Sequence, residues 1–194
     1  MKQEWWESGK PRSSCRALIN DLAGTSTEEA SEVYLSDGGH FDNLGVYELV
    51  RRRCRLIIAC DAGADSTYSC TDLARVVEKC RVDFGAEINI DLGELQPTEP
   101  LFSEDATMRV SKSPFCEGTI RYAGGLTGEL IYIKPCLNVK LPQDVLAYAR
   151  TAYTFPHQST ADQFFDEAQF ESYRALGYAC ASAAAATVAS AIRR

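Results

Sequence analysis

Residues 36–45 hold the side chains best suited to chemistry in this chain, in the order Ser-Asp-Gly-Gly-His-Phe-Asp-Asn-Leu-Gly. Asp37 follows a short apolar run and precedes Gly38 and Gly39, after which a helix is predicted. In an α/β sheet this order places a carboxylate at the carboxyl end of a strand, where ligand crevices form. A carboxylate in that place can act as a general base, bind a metal ion or cap a turn.

The side chains that follow Asp37 favour a functional role over a simple turn. His40, Asp42 and Asn43 add three polar groups within six residues, which is costly unless they serve one another or a ligand. Glycine lets the backbone pass close to a substrate because it has no Cβ. Asp37 is therefore the candidate catalytic residue, and the candidates that support substrate binding are Gly38, Gly39, His40 and Asn43.

Asp61 repeats the arrangement of strand, acid and glycine, since an apolar run precedes it and Ala62-Gly63 follows. For Asp61 we expect a structural role, because Asp before glycine is ordinary turn chemistry. No metal site is predicted: the eight cysteines form no C-x-x-C pair, and the chain has only two histidines. A metal-dependent hydrolase that uses Asp37, His40 and Asp42 is kept as an alternative.

Alternating strands and helices are predicted around the two acids. The elements are a strand at 32–36, a helix capped by Asn43, a strand at 55–60, a helix from a Ser69–Asp72 capping box to Gly85 and a strand at 88–92. The near-continuous apolar run at 55–60 is typical of a strand that is buried on both faces. This order of elements predicts βαβ units and hence a mainly parallel central sheet with flanking helices.

The second half of the chain predicts shorter strands followed by helices. Strands are expected at 107–112, 117–122 and 129–134, with a glycine-rich hairpin turn at 123–128. Pro142 starts one helix, and a Ser159–Asp162 capping box opens a phenylalanine-rich helix that stops at Gly177. We expect this helix to pack into the core; the alternative is an interfacial lipid contact, although its acidic residues oppose an anionic membrane. The fold class is therefore α/β, with a β-hairpin and C-terminal helices beside the central sheet. An alanine-rich tail occupies 178–194, and residues 1–30 form a poorly defined N-terminal segment.

Composition is that of a soluble globular domain, since 45% of the 194 residues are hydrophobic and 24% are charged. The formal net charge of -7 argues against a nucleic-acid surface. The N-terminus lacks the apolar core of a signal peptide, and the tail at 178–192 is too weakly apolar for a spanning helix of about 20 residues. We therefore expect the chain in the reducing cytoplasm, with membrane association through a parent protein.

Asp37-Gly38-Gly39 resembles the D-G-G/A motif of patatin-like phospholipases, and with Asn43-Leu44 it is similar to the catalytic-aspartate segment of cytosolic phospholipases A. The wider string at 34–45, with 47–49 and 51–54, resembles large bacterial patatin-like proteins. The segments at 118–122 and 155–165 resemble them as well. The resemblance covers about residues 30 to 177, and it implies the C-terminal part of a patatin-like acyl hydrolase domain at 31–177.

The resemblance implies a lipid acyl ester hydrolase that needs no cofactor and uses a Ser–Asp dyad. In that family a serine in a G-x-S-x-G elbow attacks the ester, and the aspartate of the D-G-G/A motif is its base. Only Asp37 carries over as catalytic: it would accept the serine proton and later activate water. The implied substrates are glycerophospholipid or acylglycerol esters, so the implied role is phospholipid breakdown, with a peripheral membrane contact.

The nucleophile of the family has no counterpart in this sequence. No G-x-S-x-G occurs, and the nearest string, Gly24-Thr25-Ser26-Thr27-Glu28, ends in Glu and has no strand before it. The glycine-rich oxyanion loop is missing as well. We therefore expect the chain to be inactive alone and to need the missing N-terminal half of the hydrolase domain as its partner. The alternative is a non-catalytic module: a pseudoenzyme half, or a lipid-binding or assembly partner.

Overall fold

The computed structural model describes residues 14–27, 29, 35, 37–102, 105–138, 140–159 and 161–194. Between Phe41 and Asp42 the chain divides into two compact units. In the first unit the described residues form helix α1 (Ser14–Leu22) and a 3-10 turn (Gly38–His40). Residues 1–13 lie outside the described residues. So does the strand predicted at 32–36, of which only Leu35 is described.

The second unit is a mixed α/β structure, as predicted at this coarse level. Its strands are β1 (Leu56–Cys60), β2 (Glu87–Ile90), β3 (Glu99–Phe102), β4 (Asp105–Val110), β5 (Phe115–Arg121) and β6 (Thr127–Ile133). Its helices are α2 (Val46–Arg51), α3 (Thr71–Phe84), α4 (Gln143–Thr151) and α5 (Glu167–Arg193). A four-stranded sheet has the order β1-β6-β5-β2, and β3 and β4 form a separate two-stranded sheet.

The prediction of a mainly parallel sheet is wrong, because two of the three strand pairs in this sheet are antiparallel. In the four-stranded sheet β1 pairs with β6 in parallel, whereas β6 with β5 and β5 with β2 are antiparallel. The cause is the hairpin of β5 and β6, which turns at Gly124 and Gly125 and inserts between the two strands that flank α3. As a result β1 and β2 point the same way, as in a βαβ unit, without pairing.

Each face of the four-stranded sheet carries its own apolar core. On one face α2 and α3 pack on Ile57 and Leu130, and on the other α4 and α5 pack on Ile131 and Ile133. The prediction that β1 is buried on both faces is wrong, because Ile58 keeps 41% of its surface exposed on the second face. The reason is that β1 lies at the edge of the sheet, while α5 packs on β5 and β6.

Asp42 holds the start of α2. Its carboxylate accepts hydrogen bonds from the backbone N–H groups of Leu44 at 3.0 Å and Tyr47 at 2.8 Å. The predicted cap, Asn43, is therefore wrong: its Nδ2 donates instead to Asp72 Oδ2 at 3.2 Å. A carboxylate has two oxygens and a full negative charge, so it satisfies two amides better than one side-chain amide oxygen does.

Asp65 has the corresponding role for α3. It accepts hydrogen bonds from the N–H groups of Ser69 at 3.0 Å and Cys70 at 2.8 Å. Cys70 has a φ of 49°, a left-handed conformation that keeps Ser69 out of the capping position, so the predicted box with Asp72 does not form. The predicted end of the helix is confirmed, since Gly85 follows α3 with a φ of 60°.

Helix α5 differs from the prediction at both ends. It begins at Glu167, where Asp166 caps it, and not at the predicted Ser159–Asp162 box. It runs through Gly177, the predicted stop, to Arg193. The physical reason is a buried stripe that continues into the alanine-rich tail and packs on the sheet. This stripe contains Leu176, Cys180, Ala184 and Ala191.

The C-terminal end of α5 is anchored on the sheet, because Arg194 pairs with Glu129 of β6 at 2.6 Å. By length and composition α5 is apolar enough to cross a membrane: its most apolar 18-residue window has a mean hydropathy of 1.5, and 22% of that window is buried. This corrects the expectation that the tail is too weakly apolar. A core helix of a soluble protein meets the same criterion, so the helix alone assigns no location.

Gly118 in β5 and Gly177 in α5 provide a matched pair of substitutions. A Cβ at Gly118 would lie 2.9 Å from the Asn89 carbonyl oxygen and 2.9 Å from the Ile90 Cβ. We therefore expect Gly118→Ala to lower the free energy of unfolding by about 2 to 3 kcal/mol. Gly177 has open space around it, so Gly177→Ala should raise it by about 0.5 to 1 kcal/mol. Urea unfolding measures both, and a less stable Gly177→Ala would contradict a continuous α5.

Candidate functional site

Asp37 starts the 3-10 turn at Gly38–His40 in the first unit. Its Oδ1 accepts a hydrogen bond from the N–H of Gly39 at 3.0 Å, and its carbonyl oxygen accepts from the N–H of His40 at 3.2 Å. All residues of this turn are exposed, and a Cβ at Gly38 would meet no atom within 4 Å. Four of the five candidates from the sequence therefore lie together in one open turn, whose carboxylate is anchored by the amide of Gly39.

The fifth candidate, Asn43, belongs to the second unit, where it contacts Asp72 at the start of α3. Asp42 accepts hydrogen bonds from the amides of Leu44, just before α2, and Tyr47, in its first turn. In the parts of the chain that the structure describes, no group of three or more His, Cys, Asp or Glu side chains could hold a metal ion. The described residues therefore offer no set of metal ligands for the alternative of a metal-dependent hydrolase that uses Asp37, His40 and Asp42.

A buried ion pair joins the carboxyl ends of β1 and β6. Asp61 follows β1 and is 3% exposed, and Lys134 follows β6 and is 1% exposed. Because Cys60 is opposite Ile133 in the parallel register, the two next residues lie side by side, and Lys134 Nζ is 3.0 Å from Asp61 Oδ2. Sequence reasoning missed this pair, because its members are 73 positions apart.

Hydrogen bonds satisfy both oxygens of the Asp61 carboxylate. The N–H of Gly63 donates to Oδ1 at 2.9 Å, which confirms the predicted turn role of Asp61. The hydroxyl of Tyr132 donates to Oδ2, beside Lys134. Burial, followed by the hydrogen bond to Asp61, raises the pKa of Tyr132 far above its usual value, so the hydroxyl stays protonated and remains a donor. Lys134 also donates to the carbonyl oxygen of Gly63 at 3.4 Å.

An open cleft of about 90 Å³ lies at this end of the sheet. β1 leads into α3 on one face, whereas β6 leads towards α4 on the other, so the chain leaves the two parallel strands in opposite directions. Ligand crevices of α/β proteins form where the connections diverge in this way. The cleft is lined by Asp61, Gly63, Ala64, Asp65, Ser69, Thr71, Asp72 and Lys134.

Asp65, Ser69 and Thr71 form a hydrogen-bonded row along the cleft. Ser69 Oγ donates to Asp65 Oδ1 at 3.0 Å and lies 2.9 Å from Thr71 Oγ1. Because the Ser69 proton is engaged with Asp65, the Thr71 hydroxyl must donate to Ser69. Burial opposes ionisation of Asp65, but the amides of Cys70 and Ser69, the Ser69 hydroxyl and then the Lys134 charge hold the pKa of Asp65 below its usual value. The row fixes the start of α3 around an ionised carboxylate.

His157, in the loop before α5, contacts Asp65. Its Nδ1 accepts a hydrogen bond from the N–H of Asp65 at 3.3 Å, so the neutral ring carries its proton on Nε2. Nε2 is buried and has no hydrogen-bond partner within the described part of the chain. Burial and repulsion from Lys134 lower the pKa of His157 to about 4. The imidazole is therefore neutral at neutral pH and packs edge-on against Tyr68, with ring centres 4.8 Å apart.

Lys134→Met tests whether the ion pair holds the ends of β1 and β6. The variant leaves the Asp61 carboxylate buried without its cation, so we expect the free energy of unfolding to fall by about 3 to 5 kcal/mol. Lys134→Met combined with Asp61→Asn removes the isolated charge and should recover part of that loss. The exposed Arg121–Glu87 pair, at 3.2 Å, is the control, and Arg121→Met should cost at most about 1 kcal/mol. A double variant no more stable than Lys134→Met would contradict this account.

Acidification should weaken the fold through His157. The unfolded imidazole takes up a proton near pH 6.5, whereas the folded one resists until about pH 4. The stability contributed by neutral His157 is therefore present above pH 6.5 and lost as the pH falls towards 4. We expect a loss of about 3 kcal/mol across this range that is absent in His157→Gln. Urea unfolding at several pH values compares the two proteins, and identical pH profiles would refute the assignment.

Comparison with protein-family models, curated proteins and solved structures finds no match for this chain. Its function therefore rests on the residues and the geometry described above.

Proposed function

We propose that this chain supplies the aspartate base of a lipid acyl ester hydrolase of the patatin-like family, which works with a Ser–Asp dyad. The observation that supports the proposal is the Asp37 turn. Its carboxylate is exposed, is followed by two glycines, and has Oδ1 anchored by the N–H of Gly39 at 3.0 Å. The motif that carries the resemblance and an accessible, oriented carboxylate thus coincide in one turn.

The anchored turn leaves one oxygen available for chemistry, because Oδ2 of Asp37 has no hydrogen-bond partner among the residues described in the structure. In the proposed reaction this oxygen accepts the proton of a serine as the serine attacks the ester carbonyl carbon. The ester C–O bond then breaks, and the departing alcohol takes this proton from the carboxylate, which leaves an acyl-serine. A water molecule attacks the acyl carbon and gives its proton to the same carboxylate, which passes it to the serine oxygen as the fatty acid leaves. These steps require no cofactor.

The nucleophile and the oxyanion donors of this reaction come from an N-terminal segment with a G-x-S-x-G elbow and a glycine-rich loop. Loss of one oxyanion donor alone costs roughly 10²–10³ in rate, so we expect no turnover without that segment. Under this proposal residues 31–177 are the C-terminal part of a patatin-like acyl hydrolase domain. The substrates are glycerophospholipid or acylglycerol esters, and the reaction belongs to phospholipid breakdown.

A non-catalytic lipid-binding or assembly module is the second candidate. It is favoured by one observation, the absence of G-x-S-x-G from all 194 residues. Under this alternative no nucleophile-bearing segment restores turnover, whereas binding to a lipid or protein partner persists.

Complementation with a nucleophile-bearing segment tests the enzyme proposal. The full chain, assayed alone with nitrophenyl butyrate and phospholipid vesicles, should show no turnover. Co-expressed with a patatin-type N-terminal segment that carries G-x-S-x-G, it should hydrolyse both substrates. Asp37→Asn should then lower kcat by roughly 10²–10⁴-fold, because the base loses its charge. Asp91→Asn is the matched control, since Asp91 Oδ1 accepts from the Gly93 N–H at 2.9 Å in the same kind of turn.

Each outcome of this assay decides between the candidates. Restored turnover that Asp37→Asn leaves unchanged would overturn Asp37 as the base. A folded chain that no nucleophile-bearing segment activates would favour the non-catalytic module. Turnover by the chain alone that disappears in Asp37→Ala would place the nucleophile within these 194 residues.

A further inference from the structure

The phenylalanines at the start of α5 are exposed, which overturns the prediction that they pack into the core. Phe164 is 95% exposed, Phe170 61% and Phe165 45%. For Phe164 and Phe165 the reason is the later start of α5, because residues 161–166 are not helical and both rings lie before the helix. Phe170 lies within α5, on its outer side. We call Phe164, Phe165 and Phe170 the aromatic surface.

A hydrogen bond positions Phe164, and a ring contact positions Phe165. The N–H of Phe164 donates to Asp162 Oδ1 at 3.1 Å, which presents Phe164 on a tight turn. Phe165 stacks on Tyr173 with ring centres 5.9 Å apart, and Tyr173 packs edge-on against the buried Phe155 at 4.8 Å. Phe170 lies one helical turn before Tyr173 on α5 and therefore on a similar side of the helix. Phe165 is thus connected to the core through Tyr173 and Phe155.

Beyond Arg174 the outer face of α5 carries no charged side chain before Arg193. Residues 175–192 contain no Asp, Glu, Lys or Arg, although part of this stretch faces outward, including Tyr178 at 72% and Ile192 at 61% exposure. A helix that faces water carries charged and polar side chains on its outer face. The uncharged face of α5 suits contact with a less polar surface.

Charges near the aromatic surface decide which surface it fits. Asp162, Asp166 and Glu167 are exposed carboxylates, and Glu171 is paired with Arg174 at 2.6 Å. The local charge is therefore negative, and it opposes an anionic membrane. Aromatic rings bind favourably at a lipid–water interface, where the ring is buried and the nearby polar groups stay in water.

We propose that the aromatic surface binds the interface of a lipid layer without net charge, such as phosphatidylcholine. This contact holds the chain on the surface that carries its ester substrate. The choice of a lipid as the partner rests on the proposed function, whereas the position of the contact and the charge of the lipid rest on the residues of α5 and the turn before it.

Sedimentation with vesicles of diether phosphatidylcholine tests the proposal, because these lipids have no ester bond and hydrolysis cannot alter them. The full chain should bind, and Phe164→Ser and Phe170→Ser should each weaken the partition coefficient about tenfold through loss of ring burial. Leu126→Ser is the control, since Leu126 is an apolar side chain on the β5–β6 turn whose exposure, 55%, is close to that of Phe170. This control should bind as the unaltered chain does.

Two further measurements separate the outcomes. Phe164→Trp, in a chain with Trp5→Phe and Trp6→Phe, should keep binding and shift its emission to shorter wavelength on the vesicles. Replacing half of the phosphatidylcholine by phosphatidylglycerol should weaken binding at low salt. Unchanged binding in both serine variants, tighter binding to the anionic vesicles, or self-association without vesicle binding would each overturn the proposal. Vesicle binding does not depend on turnover, so failed complementation would leave this result standing.

Discussion

Two charges almost fully removed from water, on Asp61 and Lys134, have to be compensated inside the protein. Compensation requires that the last residues of β1 and β6 lie opposite each other, because Asp61 directly follows β1 and Lys134 directly follows β6. The Tyr132 hydroxyl and the backbone of Gly63 supply the remaining hydrogen bonds. A slip of β6 by one residue would move Tyr132 to the opposite face and leave the carboxylate without its partners. The register of the parallel pair, and with it the cleft, depends on this compensation.

Signals that act within a few residues predicted their elements correctly. Pro142 precedes α4, Gly85 ends α3, and the glycine-rich turn joins β5 to β6. The start of α2 and that of α3 were missed, because Asp42 and Asp65 bind amides up to five positions ahead and replace the nearer polar residues. The strand order could not be predicted from local patterns, since the insertion of a hairpin between β1 and β2 is decided by contacts between distant segments.

The candidate site shows the same division between local and distant information. The Asp37 turn could be predicted because its residues are consecutive and carry a motif. The turn role of Asp61 was predicted, because its hydrogen bond goes to Gly63, two residues ahead. The ion pair of Asp61 with Lys134 was not predicted. A signal for Lys134 was present: it is a single charged residue directly after the uninterrupted apolar run at 130–133, at the same distance from β6 as Asp61 is from β1. Pairing these two signals requires knowing that the strands are neighbours.

Helix α5 also fixes an orientation for the whole second unit. Its 27 residues make a rod about 40 Å long, whose far end is tied to the beginning of β6 through Arg194 and Glu129. Near the start of α5 the N–H of Gln158 donates a hydrogen bond to the Tyr173 hydroxyl oxygen at 3.2 Å. The adjacent His157 accepts a hydrogen bond from the N–H of Asp65 at the cleft. The aromatic surface and the polar cleft therefore lie at one pole of the unit, and the C-terminus lies at the other. A chain that contacts a lipid layer through its phenylalanines would therefore hold its polar cleft close to the headgroups, while the tie between Arg194 and Glu129 lies at the far end of α5.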